Sequence, residues 1–132
     1  MNRLLAVLVA ALTAANGAVM LLAGPWWYDV VPGVTETGPF NPHFVKDIGA
    51  AYLVVGLGFA WLAARPASTL ARGAGVAGAA FLGFHALIHL AAAITDPDGL
   101  ADLARDFAGV IAPALVAIWI VARPPRTGET HA

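Results

Sequence analysis

Between Leu4 and Ala23 the chain carries no charged residue. That stretch is close to the ~20 residues an α-helix needs to cross the hydrocarbon core of a bilayer. Three more long apolar runs follow, at residues 42–64, 70–94 and 100–122. With 60% of its 132 residues hydrophobic and only 11% charged, the chain lacks the polar surface a soluble globule of this size requires, whereas a protein embedded in lipid has no such need. We therefore expect an all-α fold: one integral membrane domain over residues 1–132, built as a four-transmembrane-helix bundle with the lipid bilayer as its first partner.

The start of the chain has two readings. Asn2-Arg3 followed by an apolar run resembles a secretory signal peptide. The run, however, continues through Val19-Met20-Leu21-Leu22 without a clean A-x-A site after it, so we read residues 4–23 as an uncleaved first helix. Gly24-Pro25 should end it, because proline has no amide donor and clashes with a continuing helix. Residues 24–40 read as a loop carrying an interfacial aromatic cluster, Trp26-Trp27-Tyr28. Asn41-Pro42 has the residues of a helix start, asparagine at the N-cap and proline just inside. Arg65-Pro66 and Thr95-Asp96-Pro97-Asp98-Gly99 mark the next two turns. On the third helix Gly75, Ala79 and Gly83 lie four apart, a spacing that permits close helix approach in membranes. Pro113 falls inside the fourth helix and should kink it, offering no N–H to the carbonyl of Gly109.

Charge placement sets an expected orientation. Four spans put Arg3, Arg65, Arg72, Arg123 and Arg126 on one side. Asp29, Glu36, Asp47, Asp96, Asp98, Asp102 and Asp106 gather on the other, with Lys46 and Arg105. The positive-inside rule then places both termini, including a tail over residues 123–132, in the cytoplasm of a bacterium, as a multi-pass protein of its inner membrane. No basic tract suggests nucleic acid. There is no cysteine, which excludes disulfides and thiolate metal sites.

The polar residues inside the spans converge. His85 and His89 are four apart and share a helix face, as do His43 and Asp47. At ~1.5 Å per residue, Asn16, Tyr52 and His85 fall roughly 18 Å from the cytoplasmic side, with His89 and Asp47 some 6 to 7 Å further out. His43 and Asp106 lie near the outer interface. One reading is a metal site: His85 and His89, closed by His43, Asp47 or Asp106, would hold a transition metal such as zinc, copper, iron or manganese. Asn16 and Tyr52 would then support a bound cofactor or the ligands around it. A metalloprotease is disfavoured, because no glutamate follows His85. The plainer reading is a hydrogen-bond network, with His85 on Asn16 or Tyr52 and His89 on Asp47 or Asp106.

A Gly-rich second helix, Asp47-Ile48-Gly49-Ala50-Ala51-Tyr52-Leu53-Val54-Val55-Gly56-Leu57-Gly58, in a four-span chain of this size resembles small DoxX-like bacterial membrane proteins. The resemblance lies in helix count and Gly/Ala positions. It implies the bundle fold and, for some members, work beside redox enzymes or in quinone-coupled sulfur oxidation; no catalytic residue transfers.

Three functional expectations follow. The first is an outer-half His/Asp site that binds a metal ion or a quinone-like head group in a redox or accessory role. The second is a structural or assembly subunit of a larger membrane complex. The third is a homo-oligomeric proton- or cation-coupled carrier. No nucleophile–base set, phosphate loop or dinucleotide fingerprint is present to indicate a particular reaction.

Overall fold

The computed structural model describes residues 2–123. Arg126 and the expected tail from position 124 onward lie outside the described residues. Every regular element among the described residues is helical: α1 (Arg3–Leu22), α2 (Gly24–Val30), α3 (Pro42–Ala64), α4 (Thr69–Thr95) and α5 (Gly99–Ala122), with a single 3-10 turn at Val34–Thr37. The four long helices α1, α3, α4 and α5 are each long and apolar enough to cross a membrane.

Their starts follow from the residues present. Asn41 Oδ1 accepts hydrogen bonds from the backbone N–H groups of His43 and Phe44, both at 3.1 Å. Ser68 Oγ accepts from Ala71 N–H at 3.2 Å, and Asn2 Oδ1 from Leu4 N–H at 3.2 Å. Each cap satisfies an end donor that has no partner inside its helix, and losing one costs about 1 kcal/mol.

The long helices pack antiparallel in chain order. Along α1 and α3, Ala14 faces Gly56, Gly17 faces Leu53, and Met20 faces Gly49. This is the closest seam in the bundle. A Cβ built on Gly17 would come within 2.5 Å of the Gly49 carbonyl oxygen, and one on Gly56 within 2.8 Å of Ala14 Cβ. Lipid offers no hydrophobic drive between helices, so backbone approach of this kind supplies the attraction. On α4, Gly75 receives Leu62 of α3, and Gly83 meets Ile118 of α5 at ordinary contact distance. The expected small-residue row is thus split between two neighbours. At the Arg65 end, Arg72 donates to the Val121 carbonyl at 2.6 Å and ties α4 to the end of α5.

Residues 24–40 depart from expectation. They form a folded cap rather than an open loop, and Pro25 sits in the first turn of α2 instead of merely ending α1. Proline suits that turn because its missing N–H would have no partner there anyway. Trp27, expected as an interfacial anchor, turns inward and donates from Nε1 to Asn16 Oδ1 at 2.9 Å. Tyr28 donates to the Gly38 carbonyl at 2.6 Å and packs on Phe40 at 5.3 Å between ring centroids.

Pro113 does not leave a simple kink. The turn before it, Phe107–Ile111, is wound as a π-helix, closed by a bond from Ala112 N–H to the Phe107 carbonyl. One wide turn takes up the proline's missing donor, and regular helix resumes at Ala112.

Candidate functional site

The expected site residues separate into distinct groups. His89 on α4 and Asp106 on α5 meet directly, with His89 Nδ1 2.6 Å from Asp106 Oδ2 and their side chains 28% and 13% exposed. His85 lies one turn along α4, its ring centroid 4.8 Å from that of His89. Tyr52 of α3 stands edge-on to His85 at 6.0 Å and to Phe81 at 5.4 Å. Tyr52, His85, His89 and Asp106 therefore form one continuous line across three helices.

The other candidates lie elsewhere. His43 and Asp47 pair with each other at 3.4 Å, on side chains 89% and 62% exposed. Asn16 is engaged by Trp27 and also donates to Met20 Sδ at 3.7 Å, so its polar atoms serve the cap and α1 rather than the histidines. Among the described residues, no group of three or more His, Cys, Asp or Glu side chains is arranged to hold a metal ion. The expected shell of three or four protein ligands is not assembled; what exists is a histidine pair with one carboxylate bonded behind it.

Arg105 completes the arrangement. Its guanidinium bonds Asp106 Oδ1 at 3.1 Å, Asp102 at 3.0 Å and Glu36 at 2.9 Å. Asp106 thus spends one oxygen on a histidine and the other on an arginine. Gly33, at φ +81°, passes directly under the guanidinium, where a Cβ would come within 2.5 Å of Arg105 Cζ. Left-handed backbone and lack of space both demand glycine here. The Glu36–Arg105 contact fastens the cap to α5, as Trp27–Asn16 fastens it to α1.

Elementary chemistry assigns the protons. An arginine-paired carboxylate is an acceptor, so the short contact places a hydrogen on His89 Nδ1. Tyr52 is 8% exposed, and its hydroxyl makes no hydrogen bond to another described residue; neither does the His85 ring. No buried side-chain nitrogen or oxygen among the described residues is without a partner, so these free polar atoms reach accessible space. The line therefore presents the Tyr52 hydroxyl and the His85 imidazole without a hydrogen-bond partner among the described residues. A groove of about 350 Å³ between α4 and α5, bordered by Val76, Gly83, Leu87 and Ile118, has no polar residue in its lining and offers nothing to such a group.

The His89–Asp106 partnership was open at the sequence level, where Asp47 was an equal choice. The Trp27–Asn16 bond was missed, and no spacing signal pointed to it. Fold and site together define an all-helical protein with four membrane-length helices and a histidine–carboxylate line at one end. Comparison with models of known families, with curated proteins and with solved structures finds no match.

Proposed function

We propose that this chain is a multi-pass protein of a bacterial inner membrane whose Tyr52–His85–His89 site binds a small polar ligand, such as a quinone head group, in a redox or accessory role. One observation carries the reading: an imidazole and a phenol with no hydrogen-bond partner among the described residues lie inside helices of membrane length. Polar groups at bilayer depth are costly unless satisfied, so a ligand, water or a second chain must meet them. The charge segregation supports an orientation with Glu36 and Arg105 outside and both termini in the cytoplasm. The resemblance to DoxX-like proteins fits the same reading.

A metal ion on His85 and His89 is the second reading, favoured by Asp106 at Nδ1 of His89. Histidine ligands of metals characteristically donate their other N–H to a carboxylate, which fixes the ring and raises its basicity. With two imidazoles from this chain, the remaining positions would fall to water, a ligand or another copy.

The test is binding of a short-chain quinone to the purified protein in nanodiscs, beside elemental analysis of the same sample. Saturable quinone binding, lost in a folded His85→Ala/His89→Ala variant, supports the first reading. Stoichiometric zinc, copper, iron or manganese, lost in the same variant, supports the second. Neither result in wild type makes the site architectural and favours a subunit of a larger membrane complex.

A further inference from the structure

The apolar groove between α4 and α5 is aligned with a cation. Its walls are Val76, Gly83 and Leu87 of α4 and Ile118 and Val121 of α5. The floor is low, because Ala79 is buried and Gly83 carries no side chain. Phe84 and Leu87, 69% and 57% exposed, stand at the rim. From Val76 to Leu87 is roughly 16 Å of helix, about half of a ~30 Å hydrocarbon core. The groove therefore has the length of an acyl chain in one leaflet.

Its Arg65 end carries the charge. Arg72 lies one helical turn before Val76 on the same face of α4. Its Nη2 donates to the carbonyl of Val121, so the guanidinium bridges the two groove walls at their mouth. That bond uses one N–H of the several a guanidinium carries, and Arg72 has no carboxylate partner among the described residues. Arg123, two positions beyond Val121, is exposed and stacks on Trp119 at 3.8 Å from the ring centroid, adding a second cation at that end. The described carboxylates belong to the cap, the second turn of α3, the α4–α5 turn and the start of α5, all toward the opposite end. Guanidinium N–H groups match the oxygens of a phosphate. An apolar channel of one-leaflet length that ends at an arginine has the outline of a phospholipid.

We propose that this groove is a binding site for an anionic phospholipid of the leaflet at the Arg65 end, with one acyl chain along Val76–Leu87 and the phosphate on Arg72. A second copy of the chain fits less well. Two copies joined here about an axis along the bilayer normal would set Arg72 against Arg72 at one depth. The inference rests on reading the chain as a membrane protein, and on nothing bound at the histidines.

The experiment is native mass spectrometry of the full-length protein released from detergent, titrated with phosphatidylglycerol or with phosphatidylcholine of the same chains. Phosphatidylglycerol should fill the first site at about fivefold lower concentration, the weight of one basic residue at an anionic surface. Arg72→Gln should bring the two lipids level, while Arg65→Gln, on a helix that does not border the groove, should keep the preference. Ala80→Phe fills the groove from an exposed position and should weaken the first site for both lipids, which keeps the test decisive if Arg72→Gln fails to fold. Equal filling by the two lipids in wild type, a preference lost equally in Arg65→Gln, unchanged binding in Ala80→Phe, or a dimer that Ala80→Phe dissociates would each overturn the proposal. Carbonate extraction of the expressing cells separates the two readings. Protein that stays in the membrane but shows no lipid preference refutes the groove site alone, and protein that washes off refutes the membrane reading with it.

Discussion

Oδ2 of Asp106 lies 2.6 Å from Nδ1 of His89, joining two neighbouring membrane-length helices near the Glu36 end of the bundle. Seventeen positions separate the partners in sequence. Their meeting depends on the rotation of both helices.

Removing the carboxylate should therefore loosen that end. Asp106→Ala is expected to lower unfolding stability by about 1 kcal/mol, the scale of interhelical hydrogen bonds measured in membrane proteins. Stability is read by denaturation in mixed micelles. A double-mutant cycle with His89→Ala should show a combined loss smaller than the sum of the two single losses. Strict additivity would mean that the two residues do not interact.

The exposed pair on α3 should behave differently. His43→Ala and Asp47→Ala, alone or together, should change stability by less than about 0.5 kcal/mol, because both side chains are surface groups. Quinone or metal binding at the site should be unchanged in the same variants. A loss of binding would return these residues to the site.

Trp27→Phe keeps the aromatic bulk of the cap but removes its bond to Asn16. The expected cost is about 1 kcal/mol. Because the bond holds α2 down onto α1, limited proteolysis should become faster within residues 24–38. Asn16→Leu should reproduce the same cleavage pattern.

The α1–α3 seam gives a contrast between glycines. Gly56→Val would drive a side chain into Ala14 and the Ala10 carbonyl, and should cost about 1–3 kcal/mol through overpacking. Gly73→Ala adds a methyl where nothing lies within 4 Å, and should stabilise α4 by about 0.5–1 kcal/mol through helix propensity. Opposite signs in one thermal-unfolding assay would confirm the seam.

The spans were legible because a long apolar run with few charges is what a helix of membrane-crossing length requires. Asn41-Pro42 marked the start of α3 to the residue. The cap was not legible: in Gly24–Val30 the cues were a proline and three aromatics, which suit an interfacial loop as well as a short helix. At the site, four-residue spacing identified the histidine pair but could not choose between Asp47 and Asp106. That choice turns on helix rotation, set by Gly17, Gly49 and Gly56 on one side and by the turn before Pro113 on the other. The seven-residue interval between Gly49 and Gly56, two helical turns, was a readable sign of the seam. The wide turn at Phe107–Ile111 had no comparable signature beyond the proline.

That wide turn gives α5 two phases. Beyond it, Ala114, Ala117 and Ile120 keep a packing face toward the core; before it, Asp106 is aimed at His89. An ordinary α-helical turn in its place would rotate one half against the other by about 100°. Deleting a single residue between 107 and 111 would then leave the inner seam zipped while the carboxylate swung off its histidine. The helix works as a crank with a fixed offset, in which the angle of the polar arm is adjusted without disturbing the shaft.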